Sequence, residues 1–329
     1  MLNKEEFDFL GITKFHESGY KGQGVVICSK ENVLANTFDD VFGLEFDTNK
    51  NSKYTIHGTA VMDYIRQVAP KATKCAIETD GLIDGSKNNR FLHSEGMDYL
   101  QENTPDILTT SFFRSNDVKE PKQSLYKALY DKGCFLCCAA GNEEDEGMQE
   151  LTNGDIWKAI GACIYNDGNL KAEKGYAAGE EMDFVSFHNL KTTWDNKKYK
   201  GTSFASPLFA GMLALVQCFF KEKTGRKLNH EQLIKFVKDN CIDLEEVGHD
   251  IKTGHGLFIL PDPYSINIYK YSEVKMFRDY TEYEKAIDYL SDKNEMDSPD
   301  LWKKRIKEEN DINLMWYCIK WANAVARNQ

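Results

Sequence analysis

Residues 208–220, LFAGMLALVQCFF, carry a single polar side chain, Gln217. A helix that is apolar on every face has to be enclosed on every side. This stretch of thirteen residues is too short to cross a bilayer, so no membrane insertion is expected. The run therefore requires a protein interior wide enough to surround a helix. A chain of 329 residues can supply it, because about 240 residues close a single full-sized core. Directly ahead of the run stands Gly201-Thr202-Ser203-Phe204-Ala205-Ser206-Pro207. Ser203 thus falls where a loop turns into the first turn of a buried helix. Free N–H groups and the positive end of the helix favour negative charge beside its hydroxyl. The small Gly201 and Ala205 let a substrate backbone approach. Thr-Ser before an apolar run is also an ordinary capped helix start, but a proline so early in a helix needs a separate reason.

A serine hydroxyl is a weak nucleophile until a base takes its proton. His57 opens the segment His57-Gly58-Thr59-Ala60-Val61, and apolar residues recur at helical spacing over 60–68. The segment GTSFASP resembles the nucleophile block of the subtilisin-like serine proteases (subtilases), Gly-Thr-Ser-x-Ala-x-Pro. HGTAV resembles the same family's histidine block. The resemblance extends over residues 15–262, about three quarters of the chain. It implies that Ser203 attacks, that His57 is the general base, and that an acid earlier in the chain orients the imidazole. His16, His93, His188, His230, His249 and His255 read as loop or core residues. Of these, His249 and His255 share a glycine-rich stretch that offers no third ligand at metal spacing.

The acid position departs from the family. Gly22-Gln23-Gly24-Val25-Val26-Ile27 resembles the lead-in to the first core strand of subtilases, which ends in Asp-Thr-Gly. Counting along that strand leads to Glu31, followed here by Asn32 and Val33. Ser29 and Lys30 are polar where a buried parallel strand should stay apolar. Three readings stay open. Glu31 orients His57; Asp39 or Asp40 serves after a local shift; or the acid is gone, and the chain is a weak or inactive pseudoprotease that binds peptides or regulates.

Residues 135–142, FLCCAAGN, form an apolar strand ending in a segment that resembles the subtilase oxyanion block. The resemblance implies that Asn142 and the Ser203 amide hold the oxyanion, although Gly-Asn is also a common turn pair. Residues 106–111, DILTTS, read as a buried strand leading to an exposed edge, where subtilases pair with the substrate backbone. Ser111 is followed by Phe112 and Phe113 in place of the family's Leu-Gly. That implies reshaped pockets and restricted specificity, two core phenylalanines being the plainer reading. With Ala140, Gly141 and Thr202, these residues make up the substrate-binding set that the resemblance implies.

Short apolar strands alternating with longer helical stretches predict an α/β fold: a parallel sheet with helices on both faces, spanning residues 1–262. Later strands are expected at 158–165 and 184–187, and a helix over 228–240 with Leu233, Phe236 and Val237 inward. Pro261-Asp262-Pro263 marks a boundary. Residues 263–329 are expected to form a small helical extension, with helices around 301–306 and 314–322, that either docks a protein partner or caps the fold. The formal net charge of −11 disfavours nucleic acid. The acidic run Glu143-Glu144-Asp145-Glu146 reads as a solvated loop, with calcium or basic substrate side chains as alternatives. No catalytic metal or cofactor is implied, while structural calcium stays open. Residues 1–20 lack a signal-like apolar stretch, and there is no room for a long prodomain ahead of Val25. Nine cysteines without ladder spacing read as thiols of a reducing compartment. The expectation is a cytoplasmic serine endopeptidase acting on polypeptides through an acyl-enzyme.

Overall fold

The computed structural model describes residues 2–31, 33, 37–44, 53–77, 92–111, 122–143, 148, 150–166, 168–173, 175–272, 282–309 and 312–327. In chain order the elements are α1 (Lys4–Phe9), α2 (Ile12–Glu17), β1 (Val26–Lys30), β2 (Val41–Leu44), α3 (Lys53–Val68), β3 (Thr73–Ile77), α4 (Leu92–Glu102), β4 (Ile107–Thr110), α5 (Lys122–Asp131) and β5 (Phe135–Ala139). There follow β6 (Trp157–Asn166), β7 (Asn169–Ala172), β8 (Met182–Phe187), α6 (Thr202–Thr224), α7 (His230–Lys238), β9 (Cys241–Ile242) and β10 (Leu257–Phe258). Last come α8 (Tyr283–Asp292), α9 (Pro299–Glu309) and α10 (Ile312–Arg327). Two compact units result: Met1–Phe219 with Asn229–Ile266, and Phe220–Leu228 with Asn267–Gln329.

The first unit is built on one sheet in the order β2-β3-β1-β4-β5-β6-β8-β10-β9. Neighbours from β2 to β10 run parallel, whereas β9 and β7 add antiparallel pairs to β10 and β6. This is the predicted α/β architecture. Strands β4 and β5 are buried throughout, as parallel strands covered on both faces are. The predicted later strands and the helix with Leu233, Phe236 and Val237 inward are present as β6, β8 and α7.

One local expectation needs correction. β1 continues through Ser29 and Lys30, both buried. Ser29 is the register partner of Thr109, whose hydroxyl meets Ser206 Oγ of α6 at 2.9 Å. Thr109 is thus matched under α6, whereas the buried Ser29 hydroxyl has no hydrogen-bond partner among the described residues. As expected, β4 is a buried strand, lying between β1 and β5; the edge expected to follow it, at Phe112 and Phe113, falls outside the described residues.

Every residue of α6 from Thr202 to Phe220 is buried, as the apolar run demands. Gly211 packs against the C-terminal end of α3: an added Cβ would lie 2.8 Å from Val68 Cβ. That crossing fixes the two helices that carry Ser203 and His57. In the second unit, α8, α9 and α10 bury Ile287, Leu290, Ile306, Cys318, Ile319 and Ala322 around a core of their own.

Burial also lowers the pKa of four histidines below the ordinary 6.5: His16, His188 and His230, and His255, which falls to about 4. In the unfolded chain these rings take up protons near 6.5, so the unfolded state binds more protons below that pH. The stability contribution is present above about pH 6.5 and is lost as pH falls towards the folded values. Urea midpoints are expected to drop between pH 7.5 and 5, and a His255→Asn variant to show a shallower drop. An unchanged slope would refute the assignment.

Candidate active site

Among the described candidates, Glu31, Ser111 and Asn142 lie beyond strand ends, and Ser203 and His57 lie in the first turns of helices. Glu31 directly follows β1 and Ser111 directly follows β4. The β1–β4 register pairs Ser29 with Thr109, and two further residues set Glu31 against Ser111. The Glu31 carboxylate is 3% exposed and divides its oxygens. Oε1 accepts from the Ser111 N–H at 2.7 Å, and Oε2 lies 3.2 Å from His57 Nδ1. A buried carboxylate needs such partners. Here they also orient the imidazole, because a proton on Nδ1 leaves Nε2 free as a base.

His57 stands just over one turn inside α3, with its side chain 27% exposed. Its ring centroid is 5.3 Å from that of Phe204, the residue after Ser203. Asp40 is committed elsewhere, to Arg66 Nε at 2.6 Å and Lys74 Nζ at 3.2 Å. These cations hold its carboxyl below the usual range against the opposing effect of burial. Asp39 is exposed. Among the described residues, the carboxylate beside His57 belongs to Glu31.

Ser203 is the second residue of α6 and 7% exposed. Pro207 has no N–H to offer the carbonyl one turn earlier. Ser111 Oγ donates to that Ser203 carbonyl at 2.5 Å. The early proline thereby acquires its reason: it opens the first turn of α6 to Ser111. In return, Ser203 Oγ donates to the Ser111 carbonyl at 3.4 Å, so its hydrogen bond goes to Ser111 and not to His57. Attack on a substrate requires the hydroxyl to turn towards the imidazole, and catalytic hydrogen bonds often tighten only once substrate is bound.

Asn142, exposed beyond β5, has its carboxamide fixed by α6. Its Oδ1 accepts from the Thr202 N–H and from Thr202 Oγ1, both at 2.9 Å. Thr202 Oγ1 in turn accepts from the Gly141 N–H at 3.2 Å. Because a backbone N–H can only donate, the amide oxygen must face Thr202 and the NH₂ group must face away. Gly201 is at φ +121, a conformation that calls for glycine, and an added Cβ would sit tightly, 3.1 Å from Asn142 Oδ1. The Ser203 N–H is among the amides that a helix leaves without an internal acceptor.

Of the expected substrate-binding residues, Ser111 links Glu31 to α6, Thr202 and Gly141 set Asn142, and Ala140 is fully buried. Phe112, Phe113 and most of the acidic run after Glu143 lie outside the described residues. Sequence reading missed His188, treated as a loop or core residue. It directly follows β8, and its Nδ1 accepts from the Gly201 N–H at 3.0 Å. Its place at the end of a parallel strand, where α/β folds set their sites, was the available signal.

A serine at a helix start, a histidine held by a buried carboxylate and an asparagine with its amide donor turned outward make up the constellation of a serine-nucleophile hydrolase on an α/β sheet. The chain belongs to the subtilase family, peptidase S8: the family model matches residues 31–256. It is 30% identical over 197 residues to the major intracellular serine protease of Bacillus subtilis (strain 168), a match covering 55% of this chain and 61% of that protein. With the intracellular serine protease of Paenibacillus polymyxa it shares 28% identity over 173 residues, covering 50% and 52% of the two chains. The chain thus spans less than two thirds of the length of these curated relatives. The structure of the prenylagaramide maturation protease PagA superposes with a TM-score of 0.62 at 16% identity, covering 80% of this chain and 99% of that one. This likeness shows the fold. The chemistry of subtilases requires no organic cofactor.

Proposed function

We propose that this chain is an intracellular serine endopeptidase that uses glutamate as its triad acid. The observation that carries this reading is the Glu31 carboxylate bridging His57 Nδ1 and the Ser111 N–H. In the proposed cycle, His57 Nε2 takes the Ser203 proton as Oγ attacks the scissile carbonyl. The tetrahedral oxyanion is held by Asn142 Nδ2 and the Ser203 N–H at the positive end of α6. His57 then protonates the leaving amine, and water hydrolyses the acyl-enzyme by the same route. The one-methylene-longer acid reaches its partners from the end of β1, where Ser29 and Lys30 extend the strand.

The intracellular placement rests on the names of the relatives and on nine cysteines that are all free thiols. Restricted specificity rests on Phe112 and Phe113 in the sequence. Residues 263–329 are proposed to dock a protein partner, supported by the exposed Leu301 and Tyr317.

The test is labelling by a fluorophosphonate probe, with Ser203→Ala and Glu31→Ala alongside. Labelling that needs both residues supports the proposal. Labelling that needs Ser203 alone moves the acid elsewhere. A second reading, a pseudoprotease that binds peptides, draws on the Ser203 hydroxyl being bonded to Ser111 O, and folded protein that takes no label would favour it. Asn142→Asp is the sharpest probe of the oxyanion site: it keeps the acceptor for Thr202 and removes the outward donor. Peptide turnover is expected to fall about 10²–10³-fold, a range carried over from the equivalent subtilisin asparagine. An effect below about threefold would remove Asn142 from the mechanism.

A further inference from the structure

Two consecutive backbone amides precede Ser203, and a side chain from a strand end captures each. Asn142, beyond β5, takes the Thr202 N–H. His188, beyond β8, takes the Gly201 N–H. The His188 side chain is wholly buried, and its Nε2 is in ion-pair contact with Glu173 Oε2; neither atom has another polar partner among the described residues. Since Gly201 N–H can only donate, His188 Nδ1 must be bare, and the ring proton sits on Nε2 facing the carboxylate. The ring is thereby held neutral in one tautomer, as a histidine with a carboxylate behind it is in a catalytic triad. The same three-part arrangement occurs twice here, once at His57 with Glu31 and once beneath the nucleophile turn.

We propose that His188, oriented by Glu173, is a positioning residue for Ser203: it pins the Gly201 amide and so fixes where the turn delivers the hydroxyl and the oxyanion donors. The proposal rests on the endopeptidase reading. Gly201 adopts a left-handed φ of +121 beside Asn142 Oδ1, so the turn has little freedom of its own except rotation of the peptide that His188 holds. The charged and titratable groups facing the ring are Glu173, Lys200 and Tyr176, the last packed edge-on with ring centroids 5.8 Å apart. Burial and Lys200 disfavour a second ring proton and Glu173 favours it, burial being the largest effect. A doubly protonated ring could not accept from Gly201, so the bond also requires neutrality.

The experiment combines ¹⁵N NMR of the full chain, labelled at glycine and at the histidine rings, with fluorophosphonate labelling rates. The variants are His188→Phe and His188→Asn, the latter placing an amide oxygen near the Nδ1 position. The wild-type ring is expected to show a bare Nδ1 and a protonated Nε2, with the Gly201 amide protected from exchange. His188→Phe should lose that protection and slow labelling about tenfold or more, since small misplacements of reacting groups are costly. His188→Asn should restore both, to within about threefold. A proton on Nδ1, or equal rates in wild type and both variants, overturns the proposal. If His188→Phe does not fold, the wild-type tautomer and the asparagine variant still decide. Should the ring and amide behave as expected while the wild type takes no label, the anchor is upheld and the endopeptidase reading falls.

Discussion

Ser203→Ala is expected to lower peptide-bond turnover about 10⁶-fold and to abolish fluorophosphonate labelling, a factor carried over from the subtilisin triad itself. The loss should be chemical and not conformational. The hydroxyl makes one long hydrogen bond, 3.4 Å to the Ser111 carbonyl, and the tighter Ser111 Oγ bond goes to the backbone of Ser203, which alanine keeps. Removing the side chain should therefore change stability by less than about 1 kcal/mol. Urea melts of the variant and the wild type would show this directly. A variant that retains labelling would place the nucleophile elsewhere, and one that unfolds would show that Ser203 supports α6 as well as reacting.

Glu31→Gln ranks second. The substituted amide still offers an oxygen to the Ser111 N–H but turns an NH₂ group towards His57 Nδ1. The ring must then accept at Nδ1 and carry its proton on Nε2, where it cannot serve as base towards Ser203. Serine proteases lose about 10⁴-fold in turnover when the wrong tautomer is imposed in this way. Glu31→Asp is the companion variant, because aspartate is the residue the family's pattern carries here. One methylene shorter, it cannot span both the Ser111 N–H and His57 from the end of the present β1. An intermediate loss, about tenfold or more, is expected. If Glu31→Asp were as active as the wild type, the bridge between strand end and imidazole would carry no functional weight. Steady-state kinetics on one peptide substrate, run for all three variants, separates these outcomes.

Much of this site is legible in the sequence because its parts are local. The small-residue turn before an apolar run identifies Ser203, and a histidine ahead of helical apolar spacing identifies His57. An apolar strand ending in Ala-Ala-Gly-Asn identifies Asn142. Glu31 follows from counting along a strand, although Ser29 and Lys30 make that strand read as shorter than it is. Asp39 and Asp40 look equivalent in sequence, and only the pairing of Asp40 with Arg66 and Lys74 separates it from His57. What could not be read is carried by contacts between distant segments. Ser111 gained its part through hydrogen bonds to Glu31 and Ser203, and the reason for Pro207 emerged only with that partner. His188 and Glu173 follow strands that both pair with β6 at Cys163, a juxtaposition no local pattern records.

The chain separations within the site carry a consequence of their own. Glu31 reaches His57 across 26 positions, Ser111 across 80, and Ser111 reaches Ser203 across 92. No contiguous fragment shorter than residues 31–203 holds a base, an orienting acid and a nucleophile together. Contacts so far apart in the chain close late, because their loops must be ordered before the contacts repay them. During synthesis the serine emerges after the strands that will cradle it, and until α6 is seated the growing polypeptide carries no cutting edge. For the intracellular endopeptidase proposed above, which would share a compartment with unfinished proteins, its own copies included, this order of closure is a timer written into its topology.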